Sequence, residues 1–183
     1  VLAHKGDKAL LRGNNPKGFS TQYKKYTKFT MGGKIAASGS VMSLIDSIGK
    51  TTAIPNDICF WRLFEKCESL TKAPELPATI LKEQCYVQMF DGCTNLTQAP
   101  KLPATTMKFE CYVYMFSGCV SLTEAPELPS RFLDGSCYGG MFWGCTSLTK
   151  APELPATTLD KLCYGRMFEN CTSLTQAPEL PSI

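Results

Sequence analysis

From residue 58 onward, the apolar positions of this chain return in the same order with a constant period of 26. Written as one unit, the pattern reads C-Y-x-x-M-F-x-G-C-T-S-L-T-x-A-P-E-L-P-A-T-T-L-x-x-x, with copies starting at Cys59, Cys85, Cys111, Cys137 and Cys163. A fixed period of this size marks a solenoid, in which each unit is one supersecondary element stacked on the next. One unit offers about six core-sized apolar side chains, worth roughly 2 kcal/mol each on burial, against an ordering cost of about 1.5 kcal/mol per residue. A lone unit therefore does not fold. Equivalent positions of successive copies are expected one above another, about 4.8 Å apart wherever they pair as parallel strands.

Inside the unit, S-L-T-x-A (Ser69 to Ala73 and its equivalents) predicts a strand of about three to five residues, because Pro74 and Pro77 remove amide donors and limit its length. Thr79, Thr105 and Thr157 then stand where a helix N-cap would lie. Leu159, Cys163 and Met167 follow at i, i+4 and i+8, with Tyr164 and Phe168 beside them, which reads as a helical stripe. Gly92, Gly118 and Gly144 come where a helix stop favours a left-handed residue, a place taken by Lys66 and Asn170 in the outer copies. The expectation is an α/β coil: a short parallel strand, a proline-bent loop and two to three turns of helix.

Residues 1–57 do not repeat. They hold nine Lys/Arg against three Asp/Glu, whereas residues 58–183 hold ten against thirteen, so a +6 segment precedes a −3 array. Stretches such as KYTKFTM and KIAASGSVM, broken by Gly32 and Gly33, predict strands of a hairpin. Because a solenoid needs a terminal unit to hide the end of its core, the segment is expected to be a β-rich N-terminal cap, with GSVMSLID packing onto the first coil. The chain thus divides into a cap at 1–57 and a solenoid of about five coils at 58–183, the last incomplete. At 183 residues and 44% hydrophobic composition the whole is about one domain.

The units MFxGCTSLT and APELPATTL resemble the BspA-like leucine-rich repeats of surface proteins from anaerobic gut and oral bacteria. The segment KFTMGGKIAASGSVMSLIDSIGKTTAIPND (Lys28 to Asp57) is similar to the stretch that precedes such arrays. The resemblance implies a right-handed, curved leucine-rich-repeat solenoid, a protein exported to the cell surface or beyond, and a binding or adhesion role. It carries no ligand residues with it. An export signal or lipoprotein anchor would lie outside this sequence, and contact with a membrane is expected only through such an anchor.

The ten cysteines alternate in spacing, first i to i+8 and then i to i+18. An even count in an exported protein suggests disulfides, but on a helix Cys85 and Cys93 would lie about 12 Å apart along the axis, beyond the roughly 7 Å a bridge tolerates. Stacked equivalents such as Cys85 and Cys111 come close enough, yet in-register side chains point the same way. Two buried columns of free thiols are therefore expected. No CxxC occurs and His4 is the one histidine, so zinc, and with it any metal or cofactor, is not expected. IGKTT (Ile48 to Thr52) ends like a phosphate loop, but Leu44 stands where the pattern needs glycine. His4 has no nucleophile partnered with it, and no catalytic set survives, so the protein is not expected to be an enzyme. The scattered lysines of the +6 segment read as a solvated surface, and no nucleic-acid partner is expected. The Met89/Phe90, Met115/Phe116, Met141/Phe142 and Met167/Phe168 pairs read as core columns; the Tyr86, Tyr112, Tyr138 and Tyr164 column is compatible with full or half burial.

Variation between copies is the remaining clue, because core positions repeat while solvent-facing ones are free to differ. The position after SLT runs Lys72, Gln98, Glu124, Lys150, Gln176, and the one after AP runs Glu75, Lys101, Glu127, Glu153, Glu179. These two rows are expected to form a polar ribbon along the strands. Trp61, Tyr114 and Trp143 put large aromatics where other copies carry small or polar residues, either as anchors for a partner or as packing against a neighbouring coil. The expected function is a surface module that binds a host or microbial protein or glycan through Lys72, Gln98, Glu124, Lys150, Gln176, Tyr114 and Trp143; the alternative is a spacer within a longer surface-anchored protein.

Overall fold

A computed structural model describes residues 8–180, and the sequence period is the period of its chain path. Ile80 pairs with Thr106, Thr106 with Phe132, and Glu124 with Lys150, each in parallel and each between equivalent positions of successive copies. The chain is therefore a repeat solenoid. The ring of Phe90 stacks on that of Phe116 at 5.6 Å, and Phe116 on Phe142 at 5.8 Å, with planes within 6° of parallel. A second column runs Phe60, Tyr86, Tyr112, Tyr138, Tyr164 at 5.8–6.0 Å. Such offset pairs contribute about 0.5–1.5 kcal/mol each beyond the area they bury. Around them Met89, Met115, Met141 and the two leucines at the SLT and ELP positions of each of the first four coils close one continuous core.

The strands are shorter than the sequence suggests, and there are two ladders rather than one. On the SLT side only β2 (Leu70–Lys72) is a strand of three residues, and it pairs in parallel with β1 (Ile35–Ala36). Among the later coils this side keeps one bridge, between Glu124 and Lys150. The second ladder runs through Ala53, Ile80, Thr106, Phe132 and Thr158, and contains β3 (Phe132–Leu133) and β4 (Thr158–Leu159). It occupies the place where helix N-caps were expected at Thr79, Thr105 and Thr157.

The helix expected in each coil is not formed. The only α-helix among the described residues is α1 (Ser43–Asp46), outside the repeats. In its place each coil carries a row of tight turns that divide their hydrogen bonds between two directions. Phe60, Arg62, Phe64 and Lys66 donate their N–H groups to Cys85, Val87, Met89 and Asp91 of the next coil at 2.6–3.0 Å. Leu63, Glu65 and Cys67 donate three residues back within their own coil, at 3.0–3.2 Å. The alternation recurs in the coils that start at Cys85, Cys111 and Cys137. Every fourth residue is left-handed, as at Gln84, Gln88 and Gly92 with φ of 54°, 52° and 71°, and this prevents the turns from running on as a helix. The cause is spacing. Helices pack about 8–10 Å apart, whereas the two ladders hold successive coils at strand separation, too close for a helix in every coil. Ring separations of 5.5–6.0 Å on the turn side leave little wedge to curve the stack.

Residues 8–57 correct a second expectation. The hairpin across Gly32 and Gly33 is absent, and this segment is not β-rich: it holds one two-residue strand and the four-residue helix. From Phe19 onward it is instead an irregular coil laid in parallel beneath the first repeat. Ser20 donates to Cys59, Phe29 to Leu63, Ile35 to Ser69, Val41 to Glu75 and Ile54 to Ile80, all at 2.8–3.0 Å. The separation in sequence between partners shrinks along this coil until, at Ile54 and Ile80, it equals that of the repeats, so the extra residues are extruded in two places. One extrusion precedes Phe29. The other is α1 with the loop after it, onto which Gly13 and Asn15 dock by donating to Ser43 and Ile45. Phe19 and Phe29 extend the two aromatic columns to the end of the stack, and Val41, Met42, Leu44 and Ile45 from GSVMSLID join the common core.

Candidate functional site

The row Lys72, Gln98, Glu124, Lys150, Gln176 is exposed throughout, and so is its companion Glu75, Lys101, Glu127, Glu153, Glu179. The threonine before each row member supplies the scaffold: Thr97 donates its N–H and its hydroxyl to the Thr71 carbonyl, at 3.5 and 3.4 Å, and Thr149 does the same to Thr123, at 3.3 Å for both. Between these paired coils the strand side opens into a groove of about 340 Å³ lined by Thr97, Gln98, Ala99, Thr123, Glu124, Ala125 and Pro126. Gln98 and Glu124 thus face each other across a notch, whereas Glu124 and Lys150 are bridged neighbours.

The aromatic candidates do not join this ribbon. Trp61, Tyr114 and Trp143 all lie on the turn side, in three different columns. Trp61 is a clamp: the first extrusion of the irregular coil places Tyr26 edge-on to it at 4.7 Å and Tyr23 at 5.6 Å, while the Arg62 guanidinium lies 4.6 Å from its ring centroid. Arg62 is itself held by Gln88 at 2.8 Å and Glu65 at 3.5 Å, and Glu65 also receives Lys28 at 3.3 Å. Tyr114 and Trp143 have no such cover. Trp143 is 39% exposed, and Tyr114 is half-buried because one side of its ring meets Gly140.

All ten cysteines are buried free thiols. In the second column each thiol donates to a phenylalanine carbonyl of the preceding coil: Cys67 to Phe29, Cys93 to Phe64, Cys119 to Phe90, Cys145 to Phe116 and Cys171 to Phe142, at 2.8–3.2 Å. Burial pushes the Cys59 thiol up to about 11 and that of Cys145 to about 12, and it raises Cys93, Cys111 and Cys119 as well. Groups held in this state are poor nucleophiles and poor metal ligands. Among the described residues no group of three His, Cys, Asp or Glu is placed to hold a metal ion. Tyr86, Tyr112 and Tyr138 are fully buried, Tyr164 only in part.

The IGKTT stretch serves an internal purpose. The N–H groups of Ile48, Gly49, Lys50 and Thr51 all turn toward the Asp46 carboxylate, so this small anion nest holds the chain's own side chain. Desolvation works to raise the Asp46 pKa, and the four N–H groups outweigh it, leaving the carboxyl below its usual value. His4 lies outside the described residues.

No protein-family model matches the chain, and no curated protein matches it in sequence. Among solved structures it is similar to the crystal structure of the T. pallidum leucine-rich repeat protein TpLRR, with 20% identity and a TM-score of 0.44. The match covers 81% of this chain and 59% of that one. The solenoid rests on the register between coils, independently of that likeness.

Sequence reasoning found the ribbon because its variation is read directly from the copies. It missed the divergence among the aromatics, whose signal lies in the columns: Trp61, Val87, Val113, Gly139 and Gly165 taper from the largest side chain to none.

Proposed function

We propose that this solenoid is a non-enzymatic binding module that holds a protein partner through the ribbon Lys72, Gln98, Glu124, Lys150 and Gln176. The observation that carries the reading is five positions with one backbone placement, all exposed and differing in charge, over a core whose residues hardly change. A rigid base with a variable charged face suits recognition, since charge placed across an interface selects partners and steers their approach. The resemblance to BspA-like repeats extends the proposal to a right-handed leucine-rich-repeat solenoid displayed on or outside the cell, with an adhesive role toward host or microbial surfaces.

The test is an array of extracellular-matrix and bacterial surface proteins probed with the wild-type chain and with the double variant Glu124→Ala/Lys150→Ala. The expected result is a captured protein lost by the variant while its thermal unfolding midpoint stays unchanged. Equal capture by both chains, or no capture by either, rejects the ribbon as the binding face. The second reading, a spacer in a longer surface protein, draws on the even inter-coil bonding along the axis. It predicts that ribbon variants have no effect, while deleting one coil shortens the reach of whatever the array carries.

A further inference from the structure

In most coils the turn side is covered by its own side chains, but the fourth carries none at two adjacent positions and is covered at one of them by Tyr114 of the third. Its sequence Cys137-Tyr-Gly-Gly-Met-Phe-Trp-Gly-Cys145 puts glycine in two adjacent columns, and the fifth coil repeats the omission at Gly165. In the first of those columns Val87 and Val113 show that a β-branched side chain is accommodated. In the second, Arg62, Gln88, Tyr114 and Arg166 all adopt φ between 51° and 56°, so the left-handed backbone does not itself demand glycine at Gly140. The ring of Tyr114 does. A Cβ on Gly140 would fall 2.2 Å from Tyr114 Cε1, so the phenol lies over the backbone of the next coil. A Cβ on Gly139 would meet the Ser136 carbonyl at 3.3 Å, and then the Leu162 carbonyl of the following coil and the Val113 side chain, both at 3.8 Å.

The result is a shelf whose floor is the backbone of Gly139 and Gly165, with Gly140 already buried beneath the Tyr114 ring. Tyr114 lies at one end. Trp143, whose backbone N–H bonds to the Gly140 carbonyl at 2.9 Å, is the next exposed residue of the same turn row. Arg166 and Glu169, the fifth-coil members of the columns of Tyr114 and Trp143, edge it; their side chains are 74% and 44% exposed and 3.7 Å apart. Aromatic rings offer apolar faces to the C–H side of a flat ring, while guanidinium, carboxylate, phenol and indole N–H serve hydroxyl groups. The two charges cancel, so the shelf suits an uncharged ligand. Its breadth, two coils, is small beside the roughly 800 Å² that a stable protein partner covers per side.

We propose that Tyr114, Trp143 and the glycine backbone of Gly139 and Gly165 form a subsite for a neutral carbohydrate ring, distinct from the strand-side ribbon. It stands whether or not the ribbon binds a protein. The test titrates the intact chain with cellohexaose, mannohexaose and chitohexaose, following calorimetric heat and tryptophan emission. The expected result is saturable binding of at least one sugar, with a shift in emission. Trp143→Ala and Gly139→Val should each weaken it about tenfold, the second by filling the floor with a side chain that two other coils already hold. Lys150→Ala should leave it unchanged. No saturable heat with any of the three sugars overturns the proposal. So does wild-type affinity in both shelf variants, and so does loss of sugar binding in Lys150→Ala, which would place the sugar on the ribbon.

Discussion

The thiol of Cys119 donates to the carbonyl of Phe90, 29 residues earlier, at 3.2 Å. That carbonyl already receives the Cys93 N–H within its own coil at 3.1 Å, so the sulfur fills its second lone pair and ties two coils together. Cys119→Ala removes the bond and a buried sulfur together. The expected loss is about 2 kcal/mol in urea unfolding. A change under about 0.5 kcal/mol would mean that the column contributes little to stability.

Tyr86 carries the opposite liability. Its ring stacks on Phe60 at 5.8 Å, yet its hydroxyl is buried without a hydrogen-bond partner. Tyr86→Phe, which repeats the residue of the first coil, removes the orphaned group and keeps the stack. Thermal unfolding should show a gain of about 1 kcal/mol; a loss of that size would show that the hydroxyl has a partner after all.

Alkali should unfold the protein well before it harms an ordinary domain. The thiols of Cys59 and Cys145 move from 9.0 to about 11 and about 12 on burial, and the Tyr164 phenol from 10.0 to about 12. A raised folded pKa in an acid means that the unfolded chain releases its proton first. The stability these groups supply is therefore complete below pH 9 and is lost between pH 9 and about 12. Melting midpoints measured from pH 7 to 11 should hold steady and then fall above pH 9. In the same experiments thiol reagents should label the cysteines only as the protein unfolds. Rapid labelling of the native protein at pH 8 would contradict the burial described.

The left-handed positions offer a gain in stability. Gly92, Gly118 and Gly144 close the turn rows of three coils, but Lys66 does so in the first with φ of 56°. An L side chain in that region costs about 1 kcal/mol relative to glycine. Lys66→Gly should raise the unfolding free energy by roughly that amount, and a decrease would show that the Lys66 side chain gains more by packing on Gly92 than its backbone loses.

The register was legible in the sequence because a 26-residue repeat leaves one way to superpose its copies, and the columns of Phe90, Phe116 and Phe142 follow from it. The turn rows were not. Cys85, Met89 and Cys93 recur with a period of four, and a helix of 3.6 per turn drifts from that period by about 40° per step of four, about 80° over the eight residues, which still keeps the three on one broad face. The two forms share an apolar stripe, and what separates them is the partner of each alternate N–H, a property of the neighbouring coil. The irregular first coil was hidden for a related reason: its register with Cys59, Leu63 and Ser69 is broken by extruded residues, so no fixed period betrays it. The ribbon could be read from the copies, whereas the shelf beside Tyr114 depends on a ring conformation that no repeat alignment contains.

The hydrogen bonds between turn rows run along the stack, one from every second residue. Tension applied between the two ends of the array would load those bonds lengthwise, and neighbouring coils would separate singly, each releasing its own slack chain. A stack built this way would lengthen in steps of one coil, because each coil contacts only its neighbours.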